Sequence, residues 1–171
     1  MDYLINRDEK VKELHRVFSD NKLIPEFIAK LLEIPEIQRL NGIDQNSGVN
    51  LSGFNMFNYK YSTLDHSLGV ALILNNFITN NQQIVAALLH DLATPAFFNS
   101  TYIIDEKNFN PKEEMLTVYD AIVGSDKLFD YFMKNNVQID DMCDYTRYPL
   151  GYNFTPCLTA TKLEYFLPFY F

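Results

Sequence analysis

The sequence predicts an all-α protein of one domain. Three observations predict it. Apolar residues return at helical spacing through most of the chain. The candidate helices open on capping residues or proline and close near Asn or Pro. Neither internal repeats nor a low-complexity linker divides the 171 residues. We therefore expect a single domain over 1–171 with its core at about 34–166.

Residues 8–19, "DEKVKELHRVFS", place Val11, Leu14 and Val17/Phe18 at helical spacing. Residues 25–33, "PEFIAKLLE", open on Pro25 at an expected first helical position. A short helix is expected over about 35–41, in "IPEIQRLNGI". The Gly, Asn and Ser of the next stretch argue for loop, with a short hairpin around Val49 to Phe57. Helical period returns in "STLDHSLGVALILNNFI", capped by Ser62 or Thr63, with Asp65 in the first turn where the helix dipole favours an anion. Asn80 or Asn81 caps "QQIVAALLHDLA", and Pro95 lies just past its end. Residues 111–123 open on Pro111 and two glutamates. "SDKLFDYFMKNN" sets Leu128, Phe129 and Phe132 on one face, and "IDDMCDY" reads as a shorter helix. "TRYPLGYNFTP" reads as loop, and the last helix begins in "CLTATKLEYFLPF" and is stopped or kinked by Pro168.

Composition narrows the function. Apolar residues make up 47% and charged residues 21%, as in ordinary globular chains. The net charge is −8 and no Lys/Arg cluster stands out, so a broad nucleic-acid surface is not expected. Anionic phosphates can still be held, given a few local cations or a metal. Cys143 and Cys157 form no CxxC pair and suggest no disulfide framework. "MDYLINRDEKVKEL" lacks the apolar core of a secretory signal, and the apolar runs fall short of the ~18 residues of a membrane span. These features predict a reduced, soluble, cytoplasmic protein with no membrane partner. The aromatic end, "KLEYFLPFYF", is expected to dock on the core, to continue into a larger fold, or to meet a partner surface, a second copy included.

The chemistry concentrates in "AALLHDLATP". An imidazole and a carboxylate, His90 and Asp91, interrupt an apolar helix. A third candidate, His66, lies near the start of the preceding helix, 24 residues earlier. That separation suits an antiparallel hairpin of about four turns each way, which sets one helix start beside the next helix end. Polar groups buried there cost free energy unless bonded. A divalent cation satisfies two imidazoles and a carboxylate together, and packed helices hold such ligands rigidly. The alternative is that His90 and Asp91 merely cap the helix or bond loop carbonyls. His15, on an amphipathic helix, reads as a surface or core-edge residue.

Taken together, "IQRLNGI…YSTLDHSLGVALIL…IVAALLHDLATPAF" resembles the HD-domain superfamily of metal-dependent phosphohydrolases. Deoxynucleoside triphosphate triphosphohydrolases share the order of these motifs. Uncharacterised bacterial HD proteins with "HDIATP" and a later "DRLEY" are nearer still. The likeness covers about residues 34–100 well and 145–166 more loosely. It implies an HD-domain-like helical bundle. It implies His66, His90 and Asp91 as ligands of one or two divalent metals (Mn, Fe, Zn, Ni or Mg), with His90 and Asp91 at the catalytic centre. It implies Arg39 as a substrate-phosphate contact, whose bland alternative is a helix-surface salt bridge. The substrate class is then a nucleotide or other small phosphate ester, attacked by metal-activated water.

The chain departs from the family at several positions. Thr161 in "TATKLEY" stands where the family has its final Asp ligand, Thr63 where it often has Arg, and Asn99 where it commonly has His. Asp105, Glu113, Glu114 and Asp120 are the carboxylates available to fill in, each expected first as a surface charge. The family usually continues beyond "LEY". Two other readings follow: a degenerate HD domain acting as a binding or regulatory module, and a truncated remnant of a longer protein.

Overall fold

The computed structural model describes residues 6–46, 59–96, 111–144, 147–148, 150–151 and 158–170, without the side chains of 111–114, 169 and 170. The hairpin expected around Val49 to Phe57, together with Asn99, Asp105 and Cys157, lies outside the described residues. The described residues are all-α, with one isolated antiparallel bridge between Asp44 and Ser62.

Helix α1, Glu9–Phe18, is capped by the Asp8 carboxylate, which accepts the Lys10 N–H at 2.9 Å. It buries Val11, Leu14 and Phe18, the i, i+3, i+7 stripe its sequence announces. It ends in a turn where Asp20 and Asn21 take φ of 55° and 59°, a region these residue types tolerate. Helix α2, Glu26–Leu31, starts one residue late, because Pro25 with ψ 143° is the cap and not the first helical residue. Helix α3, Pro35–Gln38, tightens into a 3₁₀ turn over Arg39–Gly42.

Helix α4, Thr63–Phe77, is the axis of the fold. Every residue from Thr63 to Leu74 is buried, since after Asp65 and His66 the sequence supplies no polar face. Helix α5, Asn81–Leu89, follows a three-residue turn and packs back along it. Asn80 accepts the Gln82 and Gln83 N–H groups at 3.0 and 3.4 Å and starts it. Helix α6, Pro111–Val123, packs on α7, Asp126–Lys134, and on α8, Ile139–Cys143, which in turn leans on α5. On α7 Leu128 and Phe132 are buried, whereas Phe129 is partly exposed, so the apolar stripe is narrower than its spacing suggests. Cys143 is a buried free thiol, pushed up to about 11 by burial and then by Asp140 and Asp144.

Helix α9, Ala160–Phe166, is capped by Thr159 and runs into a 3₁₀ turn over Leu167–Tyr170 that holds Pro168. The last helix lies against α4. The Tyr59 hydroxyl donates to the Pro168 carbonyl at 3.2 Å, which ties down that turn. Tyr165 and Phe166 are more than half exposed, so this part of the aromatic end does not dock on the core.

Close approach of α9 to α4 depends on Gly69. A Cβ placed there would sit 2.8 Å from Glu164 Cγ and 3.0 Å from Phe18 Cδ2. Both neighbours are buried and neither can swing into solvent. Gly69→Ala therefore opposes a helix-propensity gain of about 1 kcal/mol to an overpacking cost of roughly 1–3 kcal/mol. We expect net destabilisation, read as a lower urea midpoint at unchanged slope; a raised midpoint would show that α9 can shift freely.

Candidate metal centre

The first turn of α4 places His66. Ser62 caps it, accepting the Asp65 N–H at 3.2 Å, while Asp65 Oδ2 accepts the Ser62 N–H at 2.9 Å. This reciprocal capping box fixes the helix start. The Asp65 carboxylate is fully buried, and Arg7 meets it at 3.3 Å with only 13% of its own side chain exposed. Antiparallel pairing of Gln45 N–H with the Tyr61 carbonyl, at 3.1 Å, and of Thr63 N–H with the Ile43 carbonyl, at 2.9 Å, anchors the approach. His66 thus projects from a backbone clamped on both sides.

The end of α5 places the doublet. The helix stops at Leu89, and His90 is its C-cap rather than an interior residue. Short turns follow, with Leu92 N–H on the Leu89 carbonyl and Thr94 N–H on the Asp91 carbonyl, both at 2.9 Å. The helix thus stops four residues short of Ala93, to which the apolar pattern alone extends, and Pro95 disfavours any helical return at Thr94. His90 Nδ1–H donates to the Ala87 carbonyl at 2.6 Å, which fixes the proton on Nδ1. Arg39 spans the same turn, donating to the carbonyls of Leu92 at 2.7 Å and Thr94 at 3.0 Å. Thr94 Oγ1 donates to Asp91 Oδ1 at 3.3 Å and steadies the carboxylate.

The two ends meet. Asp91 Oδ2 lies 3.4 Å from His90 Nε2 and 3.9 Å from His66 Nε2. The imidazole rings are 5.3 Å apart at an interplanar angle of 64°. One ligand atom from each of His66, His90 and Asp91 falls within 4.8 Å of the others. Donors sharing one ion at about 2.1 Å from it stand roughly 3 to 4 Å apart; the two distances to Asp91 lie in that range, and the set as a whole, within 4.8 Å, would draw in around a divalent cation.

A fourth side chain backs the cluster. Glu164, on α9, is fully buried and bonds His66 Nδ1 through Oε2, on the ring edge away from Asp91. Its other oxygen accepts the Tyr61 hydroxyl. Burial alone would drive His66 down, but the Glu164 charge and hydrogen bond, with Asp91 beyond, outweigh it and raise the imidazole to about 9. Burial, then Glu164, pushes Tyr61 well above its ordinary range. His15, expected at the surface or core edge, is instead buried in α1 and moves the other way, lowered by burial, with Nε2 bonded to the Asp65 carbonyl at 3.1 Å.

Of the residues singled out from sequence, His66, His90 and Asp91 converge. Arg39 is brought to the turn behind the doublet, where it grips backbone carbonyls rather than forming the surface salt bridge weighed above. Thr161 lines a small pocket with His90, Val70 and Gly151, and its hydroxyl donates to the Gly151 carbonyl at 2.6 Å. Asp120 is exposed on α6 and outside the cluster; the side chains of Glu113 and Glu114 lie outside the described residues. Sequence reasoning missed Glu164, Tyr61 and the Arg7–Asp65 pair. The available signal for Glu164 was its place in "KLEY", one helical turn after Thr161.

The fold and the cluster define the class: an all-α chain with a two-histidine, one-carboxylate site able to hold a divalent metal. Among curated proteins, the chain is 25% identical over 171 aligned residues to "Metal-dependent phosphohydrolase cns2" of Cordyceps militaris. The match covers 92% of this chain and 48% of that protein, so the chain spans about half the length of its relative. No protein-family model matches the chain, and no solved structure does.

The raised His66 sets a sign for stability. In metal-free protein the protonated imidazole is favoured by folding, so its contribution is full below pH 6.5 and is lost as pH rises through about 9. The loss is on the order of 3 kcal/mol. Urea unfolding with chelator at pH 6 and pH 9.5 should show it, and His66→Gln should remove most of the difference. Equal pH dependence in the variant would assign the effect to other groups.

Proposed function

We propose that the chain is a divergent HD-superfamily, metal-dependent phosphohydrolase acting on a nucleotide or other small phosphate ester. The convergence of His66, His90 and Asp91 carries this reading, and the curated relative supports it. His66 and His90 present Nε2, and Asp91 a carboxylate oxygen, to one divalent ion of the Mn, Fe, Zn, Ni or Mg group. Held there, such an ion would supply Lewis acidity for a bound water and a phosphoryl oxygen. The protein's own residues bind and orient. Thr94 holds one Asp91 oxygen while the other faces the histidines. Arg39 fixes the turn and, being exposed, offers its remaining N–H groups to a substrate phosphate. The same reading takes 1–171 as one domain of a soluble cytoplasmic protein, with exposed Tyr165 and Phe166 available for contact between copies.

Thr161 favours a second reading. Its hydroxyl is committed to the Gly151 carbonyl, so where the family has a carboxylate this chain has a structural bond. A domain that keeps the pocket for binding or regulation, without turnover, would look the same. Metal content and hydrolysis separate the two. Protein purified without chelator or affinity tag should hold close to one metal per chain after reconstitution with Mn²⁺ or Fe²⁺. His90→Ala and Asp91→Ala should each abolish uptake and phosphate-ester hydrolysis. Because His66 must release its proton, affinity should rise about tenfold per pH unit up to roughly 9. Metal without hydrolysis of any phosphate ester selects the binding module. No metal, or full metal in both variants, removes the site from this triad.

Thr161→Asp places a carboxylate beside His90. We expect metal affinity to rise about tenfold, measured by competition with a chelating dye. Unchanged affinity would mean that Thr161 does not occupy the ligand position the resemblance assigns to it.

A further inference from the structure

We propose that Glu164, held by Tyr61, is a positioning residue that fixes the His66 tautomer and makes Nε2 the metal-binding atom. The inference rests on the metal-site reading above and adds an outer sphere to it. An imidazole has two nitrogens, and a site built on one needs the other occupied. For His66 the occupant is Glu164 Oε2 on Nδ1, while Nε2 lies 3.9 Å from Asp91 Oδ2. His90 shows the same arrangement with a different acceptor, its Nδ1–H on the Ala87 carbonyl and its Nε2 at 3.4 Å from Asp91. Both histidines therefore present Nε2 to the same carboxylate oxygen.

The supports of Glu164 point to orientation rather than simple charge pairing. Both of its oxygens are spoken for, Oε1 by the Tyr61 hydroxyl and Oε2 by the ring. Its stem packs where Gly69 lacks a Cβ. Glu164 and Tyr61 are almost wholly buried, so neither bond is shared with bulk water. A charged acceptor also raises the basicity of the imidazole more than a carbonyl does, which makes His66 the stronger of the two histidine ligands.

The test uses the full chain as wild type, Glu164→Gln, Glu164→Ala and Tyr61→Phe. Zn²⁺ and Mn²⁺ affinities are measured by calorimetry, and imidazole tautomers of the Zn²⁺-loaded proteins by long-range ¹H–¹⁵N correlation. We expect His66 protonated on Nδ1 in wild type. Glu164→Ala should weaken binding about 10- to 100-fold and lose that tautomer signature, with the His90 signals unchanged. Glu164→Gln, whose amide oxygen still accepts from Nδ1–H, should recover part of the loss, and Tyr61→Phe should cost a few-fold. A folded Glu164→Ala with wild-type affinity and tautomer overturns the proposal. If that variant does not fold, unchanged affinity in both Glu164→Gln and Tyr61→Phe overturns it instead. Metal uptake that ignores Glu164 sinks this proposal alone; a wild type that takes up no metal sinks the metal-site reading, and this proposal with it.

Discussion

The contact on which the rest of the site depends is the bond between the Glu164 carboxylate and the His66 ring. It joins the last helix to the first turn of the central one, across the gap that Gly69 leaves. A carboxylate with no exposed surface costs several kcal/mol unless its oxygens are bonded. Here a phenol and an imidazole supply those bonds. The arrangement leaves a charge imbalance at the cluster. Glu164 and Asp91 are two carboxylates against a single imidazolium, while Asp65 is matched separately by Arg7. Once His66 gives up its proton, the two carboxylates carry a charge of −2, which one divalent ion neutralises. The same contact that stabilises the metal-free fold therefore favours a cation when the proton leaves.

The helices were legible because their apolar spacing and capping residues agree. Ser62 and Asn80, each one of two caps the sequence offers, are the ones the backbone uses, with Asp65 in the first turn closing the Ser62 cap. The pattern overreached at the end of α5, where apolar Leu92 and Ala93 extend the period but the turn before Pro95 ends the helix at Leu89. That early stop matters chemically. His90 can use its Nδ1–H on the Ala87 carbonyl, and Asp91 can lean toward the histidines, because neither is confined to a helical face.

The last helix forms where the sequence places it, but its pattern does not tell which of its residues pack. The fold buries Glu164 completely and leaves Tyr165 and Phe166 more than half exposed. Local pattern and global structure disagree at Glu164, a polar group held inside by its bonds to Tyr61 and His66. Its place one helical turn after Thr161 marks the residue, but its burial is set by partners, Tyr61 and His66, that lie about a hundred residues earlier in the chain. A one-dimensional reading sees the two His and the Asp because they sit on one helical hairpin. It misses the carboxylate that the fold brings from elsewhere.

Thr161 and Glu164 stand three residues apart, so α9 presents both toward the neighbourhood of α4 and α5. They have taken different tasks. Thr161 gives its hydroxyl to the Gly151 carbonyl, fixing the segment that leads into the helix. Glu164 gives one oxygen to the Tyr61 hydroxyl and the other to the His66 ring. From α9, Glu164 reaches His66 on the ring edge away from Asp91, while Thr161 lies beside His90 in the small pocket. Three protein donors with water completing the shell are sufficient for a catalytic ion. The bonds from Glu164 and Tyr61 hold the His66 ring in one orientation, and a donor already held in place loses less freedom on binding an ion.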